Sequence, residues 1–243
     1  MDYIKLKDQC VQWIRDWFER NGKGCRAVLG MSGGKDSTVA AALCVEALGK
    51  ENVVGVAMPA EGQSLNGADE ICEYLGIRYI CAPIAGIIRG FDDVRAVVEE
   101  GFSNQTEQNI PPRVRMCVLY AISQSVNGRV VNTCNLSEDW VGYATRWGDS
   151  VGDFSPLGSL TVQEIRGIGH AMGIPSKWVD KTPDDGLPHS CSDEQKFGFT
   201  YEVLDRYIRT GVCEDEAVRE KIDRMHRNNL FKLYMPEAFK PEM

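Results

Sequence analysis

Two separated stretches hold residue types that together could bind and activate a phosphate. The first is Gly30-Met31-Ser32-Gly33-Gly34-Lys35-Asp36-Ser37, set between an apolar run (Ala27, Val28, Leu29) and an Ala-rich run beginning at Thr38. A strand, a glycine turn and a helix start in that order make an anion site: backbone N–H groups point outward and the helix dipole favours negative charge. Gly33 and Gly34 permit positive φ and a close ligand approach, and Ser32, Ser37 and Thr38 offer hydroxyls. The pattern narrowly misses Walker A, GxxxxGK[ST]. Leu29 stands where the first glycine would be, and Asp36 follows Lys35. A carboxylate beside a phosphate repels it unless a cation lies between, which makes Asp36 a candidate Mg²⁺ ligand. The plain alternative is a glycine-rich turn capped by serines.

The second stretch, Asn132 to Thr161, starts small and polar after an apolar run. Glu138 falls at the start of a predicted short helix, placed to bring a second carboxylate to the sheet edge that carries Asp36. Two carboxylates plus phosphate oxygens suit octahedral Mg²⁺. Alternatively, Glu138 is an ordinary acidic residue of a first helical turn, as Asp139 beside it could be.

The elements needed to hold these stretches are legible in the hydrophobic pattern. Ile4, Val11, Ile14 and Phe18 recur at helical spacing. Strands are predicted over 25–30, 53–58, 78–82 and 129–133. Helices are predicted over 36–48, 65–75, 84–100 and 114–126, the second and third strands being closed by Pro59 and Pro83. This alternation predicts an α/β fold, a doubly wound parallel sheet flanked by helices, with ligands beyond the carboxyl ends of the strands. Beyond Thr161 the pattern turns helical. One helix is expected over 200–208, closed by Gly211, and another opens on Glu214, Asp215 and Glu216 with Val218, Ile222 and Met225 as its apolar face. The absence of a repeat or flexible linker favours one domain over residues 1–243.

Composition narrows the partners. The 243 residues are 43% hydrophobic and 26% charged, as in ordinary globular chains. The net charge of −8 and the lack of a basic run argue against nucleic acid. Nine cysteines without a CxxC fit free thiols in a reducing compartment better than a metal ribbon or a disulfide framework. The N-terminus lacks signal-peptide character and no apolar run approaches the ~18 residues of a membrane span, so a cytoplasmic location is expected.

The SGGxDS portion of the first stretch resembles the loop of the ATP pyrophosphatase superfamily, whose adenine nucleotide alpha-hydrolase-like members cleave ATP between the α and β phosphates. The second stretch resembles the NAD synthetase family within it: a Thr and a Glu followed by GxxT[KR]xGDxxxDxxPL, here Thr133, Glu138, Gly142, Thr145, Arg146, Gly148, Asp149, Asp153, Pro156 and Leu157. Arg113 and Arg115 resemble the family's ARxRM element, and KTPDDGL (181–187) its loop near the triphosphate. The closing region from FGFTYEVLDRYIRTG through His226 and Arg227 also matches. The match runs over roughly residues 4–235.

The resemblance implies ATP-dependent amidation of nicotinic acid adenine dinucleotide (deamido-NAD) with ammonia, through an adenylate, releasing AMP and pyrophosphate. It implies Mg²⁺ on Asp36 and Glu138. Gly30, Met31, Ser32, Gly33, Gly34, Lys35, Asp36, Ser37 and Thr133 would be at ATP. Arg113, Tyr143, Arg146, Asp153, His226 and Arg227 would be at the dinucleotide, with Tyr143 stacking on the pyridine. Asp149 would stand near the ammonia site as a proton acceptor. Taken singly, Arg113 reads as a surface arginine, Tyr143 as core and His226 as a solvated helix residue.

Two ATP-facing positions depart from the family pattern. Val162 stands where many members have a lysine, and Asp184 where many have Ser or Thr. Losing a cation and gaining an anion weakens triphosphate binding unless compensated, with Lys35 and Lys181 the nearest candidates. Other readings stay open at this point: a different adenylating amidotransferase, a tRNA-modifying enzyme, or a regulator that holds ATP without turnover. The tRNA reading needs catalytic cysteines or a basic surface, and neither stands out; two retained carboxylates argue against the regulator. The chain has no room for the glutaminase domain of glutamine-using members, so free ammonia or a separate glutaminase would supply nitrogen. A homodimer is implied by the resemblance alone.

Overall fold

In the computed structural model, which describes residues 1–181 and 192–241, the chain begins with α1 (Tyr3–Asn21). It continues through β1 (Arg26–Gly30), α2 (Lys35–Leu48), β2 (Val53–Ala57), α3 (Ala68–Leu75), β3 (Arg78–Cys81), α4 (Ala85–Arg89), α5 (Asp92–Val97), α6 (Asn104–Ser125) and β4 (Gly128–Val130). Beyond β4 come α7 (Leu136–Val141), α8 (Val162–Ala171), α9 (Ser176–Val179), α10 (Asp193–Phe197), α11 (Tyr201–Thr210) and α12 (Glu216–Asn229). Among the described residues the strands form one parallel sheet in the order β3-β2-β1-β4.

That order has a mechanical consequence. The chain winds outward from β1 to β3, then returns to place β4 on the other side of β1. The crossovers leave β1 in opposite directions, so a crevice opens between the carboxyl ends of β1 and β4. The two chemical stretches of the sequence follow these two strands.

Alternating strand residues feed two cores. Ala27 and Leu29 of β1 pack with Ile14 and Phe18 of α1, Ala40 and Leu43 of α2, and Ile165 and Ile168 of α8. Val28 of β1, Val54 and Val56 of β2 and Val130 of β4 face the other way, onto Val114 and Leu119 of α6. Burial on both faces accounts for the near-continuous apolar strands. A third core joins α7, α8, α11 and α12 through Val141, Val162, Leu204 and Ile222.

Several predicted boundaries move. Ile4 is 63% exposed, so the buried face of α1 starts at Val11. The helix predicted over 84–100 is two short ones, separated at Gly90 and Phe91. The predicted 114–126 helix starts ten residues earlier and carries Pro111 and Pro112 inside it. A proline pair reads as a break because it removes helical donors. Here the extra turns are held by the Ser103 cap on Thr106 N and by paired Arg95–Glu107 hydrogen bonds of 2.7 and 2.6 Å. Ladder pairing of β4 ends at Val130, after which Val131 bridges Phe154 in parallel. Asp215 is the cap of α12 and accepts from the amides of Ala217 and Val218, so only Glu216 of the three acids lies in the first turn.

Candidate active site

The first wall of the crevice is built by the turn from β1 into α2. Gly33 has φ +76°, and a Cβ there would lie 2.3 Å from the Asn66 carbonyl oxygen, so both its backbone angle and its surroundings require glycine. Gly34 is the N-cap of α2 and supplies no capping side chain. The Ser37 and Thr38 hydroxyls donate back to the Gly34 carbonyl at 3.1 and 2.8 Å, holding the first turn in shape. Ser32 stays exposed, 3.2 Å from Ser37 Oγ. Uncapped amides at a helix start, beside a glycine turn, are suited to a phosphate.

The second wall follows β4. Asn135 caps α7 by accepting from the Glu138 amide at 3.0 Å, and its Nδ2 donates to Asp36 Oδ1 at 3.2 Å. One asparagine therefore orients α7 and ties it to α2. The result brings Asp36 and Glu138 together. Glu138 is pushed up to about 8, first by burial and then by the Asp36 carboxylate, with the Lys35 ammonium opposing. Two carboxylates that repel one another at such a crevice suit a hard divalent cation that takes its other ligands from phosphate and water. The residues present thus fit Mg²⁺. Among the described residues no group of three or more His, Cys, Asp or Glu forms a closed cage.

Between the walls lies a cavity of about 410 Å³. It gathers Gly30, Met31, Ser32, Asp36 and Ser37 from the first stretch and Thr133, Glu138 and Asp149 from the second. Asp149 opens onto this space, yet surrounding protein strips enough water from its carboxyl to raise its pKa. Hydrogen bonds from Thr145 N at 2.6 Å, together with the Arg115 and Lys232 charges, oppose that rise. The Asp149 carbonyl accepts from Asn132 Nδ2 and Cys134 Sγ at 2.9 and 3.2 Å, which locks its loop against the segment after β4.

Lys35 is turned inward. It is 3% exposed and its Nζ lies 2.8 Å from Asp36 Oδ2, over the Tyr201 ring. Burial pulls its pKa down, but Asp36 and Glu138 outweigh that and hold it raised. Its place in the ion pair leaves it poorly placed to replace a cation at the end of a triphosphate. Lys181 donates to the Asn66 carbonyl at 3.3 Å, on the residue that abuts Gly33. Val162 is fully buried in the third core, its amide donating to Ser137 Oγ, and its side chain does not reach the cavity. Asp184 lies outside the described residues.

The residues expected at the dinucleotide stand off this cavity wall. Arg113 is exposed on α6 and donates to the Arg146 carbonyl at 3.3 Å. Arg146 lies over the Trp147 and Phe231 rings and donates to the Tyr234 carbonyl. Tyr143 packs edge-on against Phe197 and accepts from Lys196 Nζ at 3.0 Å. His226 stacks on Trp140 with centroids 4.1 Å apart, its Nδ1 2.9 Å from the Trp140 carbonyl oxygen, and Arg227 is exposed on α12. Asp153 accepts from Val130 N at 2.7 Å and from Tyr120, so it braces β4. Sequence reasoning left Arg115 without a role. It lines the cavity and donates to the Met58 carbonyl and the Gln63 side chain at 3.0 and 2.5 Å. Gln63, Asn66, Asn132 and Cys134 are further wall residues that no local signal marked.

A parallel sheet with a phosphate turn, paired carboxylates and a third acid at its switch point defines a nucleotide-dependent enzyme of the adenine nucleotide alpha-hydrolase fold. A model of the NAD synthase family matches residues 6–243, and the chain belongs to that family. It is 38% identical over 193 residues to the NH(3)-dependent NAD(+) synthetase of Methanococcus aeolicus, covering 78% of this chain and 75% of that protein. Among solved structures, NMN synthetase from Francisella tularensis superposes with a TM-score of 0.88 at 27% identity, covering 100% of each chain. The NH3-dependent NAD synthetase from Campylobacter jejuni superposes with a TM-score of 0.79 at 28% identity, covering 99% of this chain and 100% of that one.

Proposed function

We propose that this enzyme, acting as a single domain, amidates nicotinic acid adenine dinucleotide to NAD with ammonia, consuming ATP and releasing AMP and pyrophosphate. The observation that carries the reading is the meeting of Asp36 and Glu138 at the phosphate turn. In the first step the nicotinate carboxylate attacks the α phosphorus, and the bond to pyrophosphate breaks. The turn around Ser32, Gly33 and Gly34 and the amides at the start of α2 hold the departing pyrophosphate. Mg²⁺ held by Asp36 and Glu138 would neutralise charge developing on the phosphate oxygens. Lys35 holds the Asp36 carboxylate in orientation through their ion pair.

In the second step ammonia attacks the acyl carbon, the bond to AMP breaks, and one proton must leave nitrogen. Asp149 is the acceptor, opening onto the cavity with a raised pKa that suits proton transfer. Thr133 lines the ATP side of the same space. Arg113, Tyr143, Arg146, Asp153, His226 and Arg227 would serve the dinucleotide outside the cavity, on a surface completed by a second copy in a homodimer. Nitrogen comes as free ammonia or from a separate glutaminase, and the free state of the described cysteines accords with a cytoplasmic setting. Among the described residues no helix is long and apolar enough to cross a membrane.

The test supplies ATP, Mg²⁺, ammonium and the deamido dinucleotide, and follows NAD, AMP and pyrophosphate. ADP and phosphate as products would refute adenylation. One observation favours a second reading of the acceptor: the superposition on NMN synthetase at 0.88 exceeds that on the Campylobacter NAD synthetase at 0.79. Comparing kcat/KM for nicotinic acid mononucleotide and dinucleotide decides between them.

A further inference from the structure

The side chain that makes least sense in the unliganded protein is Arg166 of α8. Its Nε is buried without a hydrogen-bond partner, and no hydrogen bond or ion pair joins its guanidinium to a described residue. A half-buried guanidinium whose Nε is shut off from water without a partner is destabilising, and the usual remedy is an anion.

Its neighbour makes the situation worse. Helix α8 passes α2 so closely at Gly169 that a Cβ there would lie 3.1 Å from Val39 Cγ2. One turn nearer the start of each helix stand Arg166 and Lys35. Two cations therefore face each other at the head of α2, directly after the phosphate turn. The two charges are near enough to act on one another. Lys35 is satisfied by Asp36, whereas Arg166 has no such partner among the described residues. Like charges brought together beside uncapped helix amides are stabilised by an anion carrying more than one charge.

The direction of the side chain fits. Helical side chains lean toward the N-terminus and cover the preceding turn. Arg166 thus covers the turn that begins at Val162, whose own side chain is committed to the core. A planar guanidinium also binds phosphate in bidentate fashion, which a lysine does not.

We propose that Arg166 binds the pyrophosphate portion of ATP and supplies, from one helical turn further on, the cation that position 162 lacks. The proposal rests on the phosphate turn being the ATP site. Calorimetric binding of MgATP, magnesium pyrophosphate and AMP to the wild type, R166M and R166K tests it. R166M is expected to weaken ATP and pyrophosphate at least tenfold while leaving AMP within twofold, with R166K recovering part of the loss. The metal-free R166M protein is expected to melt no lower than the wild type, because an unpaired charge has been removed. ATP and pyrophosphate affinities within twofold of wild type in R166M, or an equal loss of AMP, would overturn the proposal. If R166M does not fold, R166K decides: unchanged pyrophosphate affinity overturns it, and a several-fold loss with unchanged AMP binding supports it. A wild-type chain that binds no ATP would instead remove the nucleotide-site reading itself.

Discussion

Replacing Glu138 with Gln separates the electrostatic account of the site from a simple loss of activity. In the folded, metal-free protein burial and Asp36 move this carboxyl from 4.5 to about 8. Between those values the folded chain keeps a proton that the unfolded chain releases. Stability is therefore lost as pH rises through that window, and the loss is complete above pH 8. At ~1.4 kcal/mol per pH unit the ceiling is about 5 kcal/mol. Because the carboxylate opens onto the cavity, solvent screening reduces this to about 2 kcal/mol. Gln cannot ionise and is nearly the shape of the protonated acid, so Glu138→Gln recovers that stability. For a chain of this length, about 2 kcal/mol corresponds to a rise of roughly 4–8 °C in Tm. The assay is thermal melting in EDTA at pH 5 and pH 8.5, beside pyrophosphate exchange into ATP. The gain in Tm is expected at pH 8.5 and close to zero at pH 5, with exchange abolished. An equal gain at both pH values, or a loss at pH 8.5, would refute the claim that Asp36 and Glu138 oppose one another across an ion site.

Asp149→Asn should leave pyrophosphate exchange near the wild-type rate while lowering amide formation by about 10²–10⁴, the usual range for a lost proton acceptor; equal loss of both half-reactions in rapid-quench assays would place Asp149 elsewhere in the cycle. Gly33→Ala puts a Cβ 2.3 Å from the Asn66 carbonyl oxygen at a φ of +76°, and strain of about 1–3 kcal/mol should appear as weaker ATP binding in calorimetry with little change in helix content. Asp205→Ala leaves the Ser137 hydroxyl and the Gln163 amide without the acceptor they now share. A loss of about 2–4 kcal/mol is expected in urea denaturation, and an unchanged midpoint would show that this clamp between α7, α8 and α11 contributes nothing.

The parts of the site readable in the sequence are those coded by short-range signals. A strand, two glycines and a helix start lie within a dozen residues, and each leaves a local mark, so the turn and its Asp36 are placed on the sheet edge by the sequence pattern itself. Glu138 was legible for the same reason, though its cap Asn135 was not singled out. What escaped depends on where side chains go after the chain has folded. Lys35 is next to a phosphate turn in sequence yet points inward to Asp36 and Tyr201. Arg115 reaches the Gln63 side chain across 52 positions. The helix expected from 114 begins at Asn104, and its extra turns through Pro111 and Pro112 lean on an Arg95–Glu107 pair that comes from a separate helix. Asp153 matched a motif position, while its bond to Val130 N depends on the return of its segment alongside β4.

The hydrogen bond from Asn135 to Asp36 joins positions 99 residues apart. Asp36 and Glu138 do not meet until β4 has docked beside β1, and docking must close a loop holding two strands and several helices. Contacts of that span form late, because chain entropy opposes them until the intervening elements are in place. A chain emerging from synthesis therefore exposes its phosphate turn long before it owns a paired carboxylate there. The meeting of the two carboxylates is therefore a signature of a complete sheet: only a molecule in which β4 lies beside β1 holds both on one crevice.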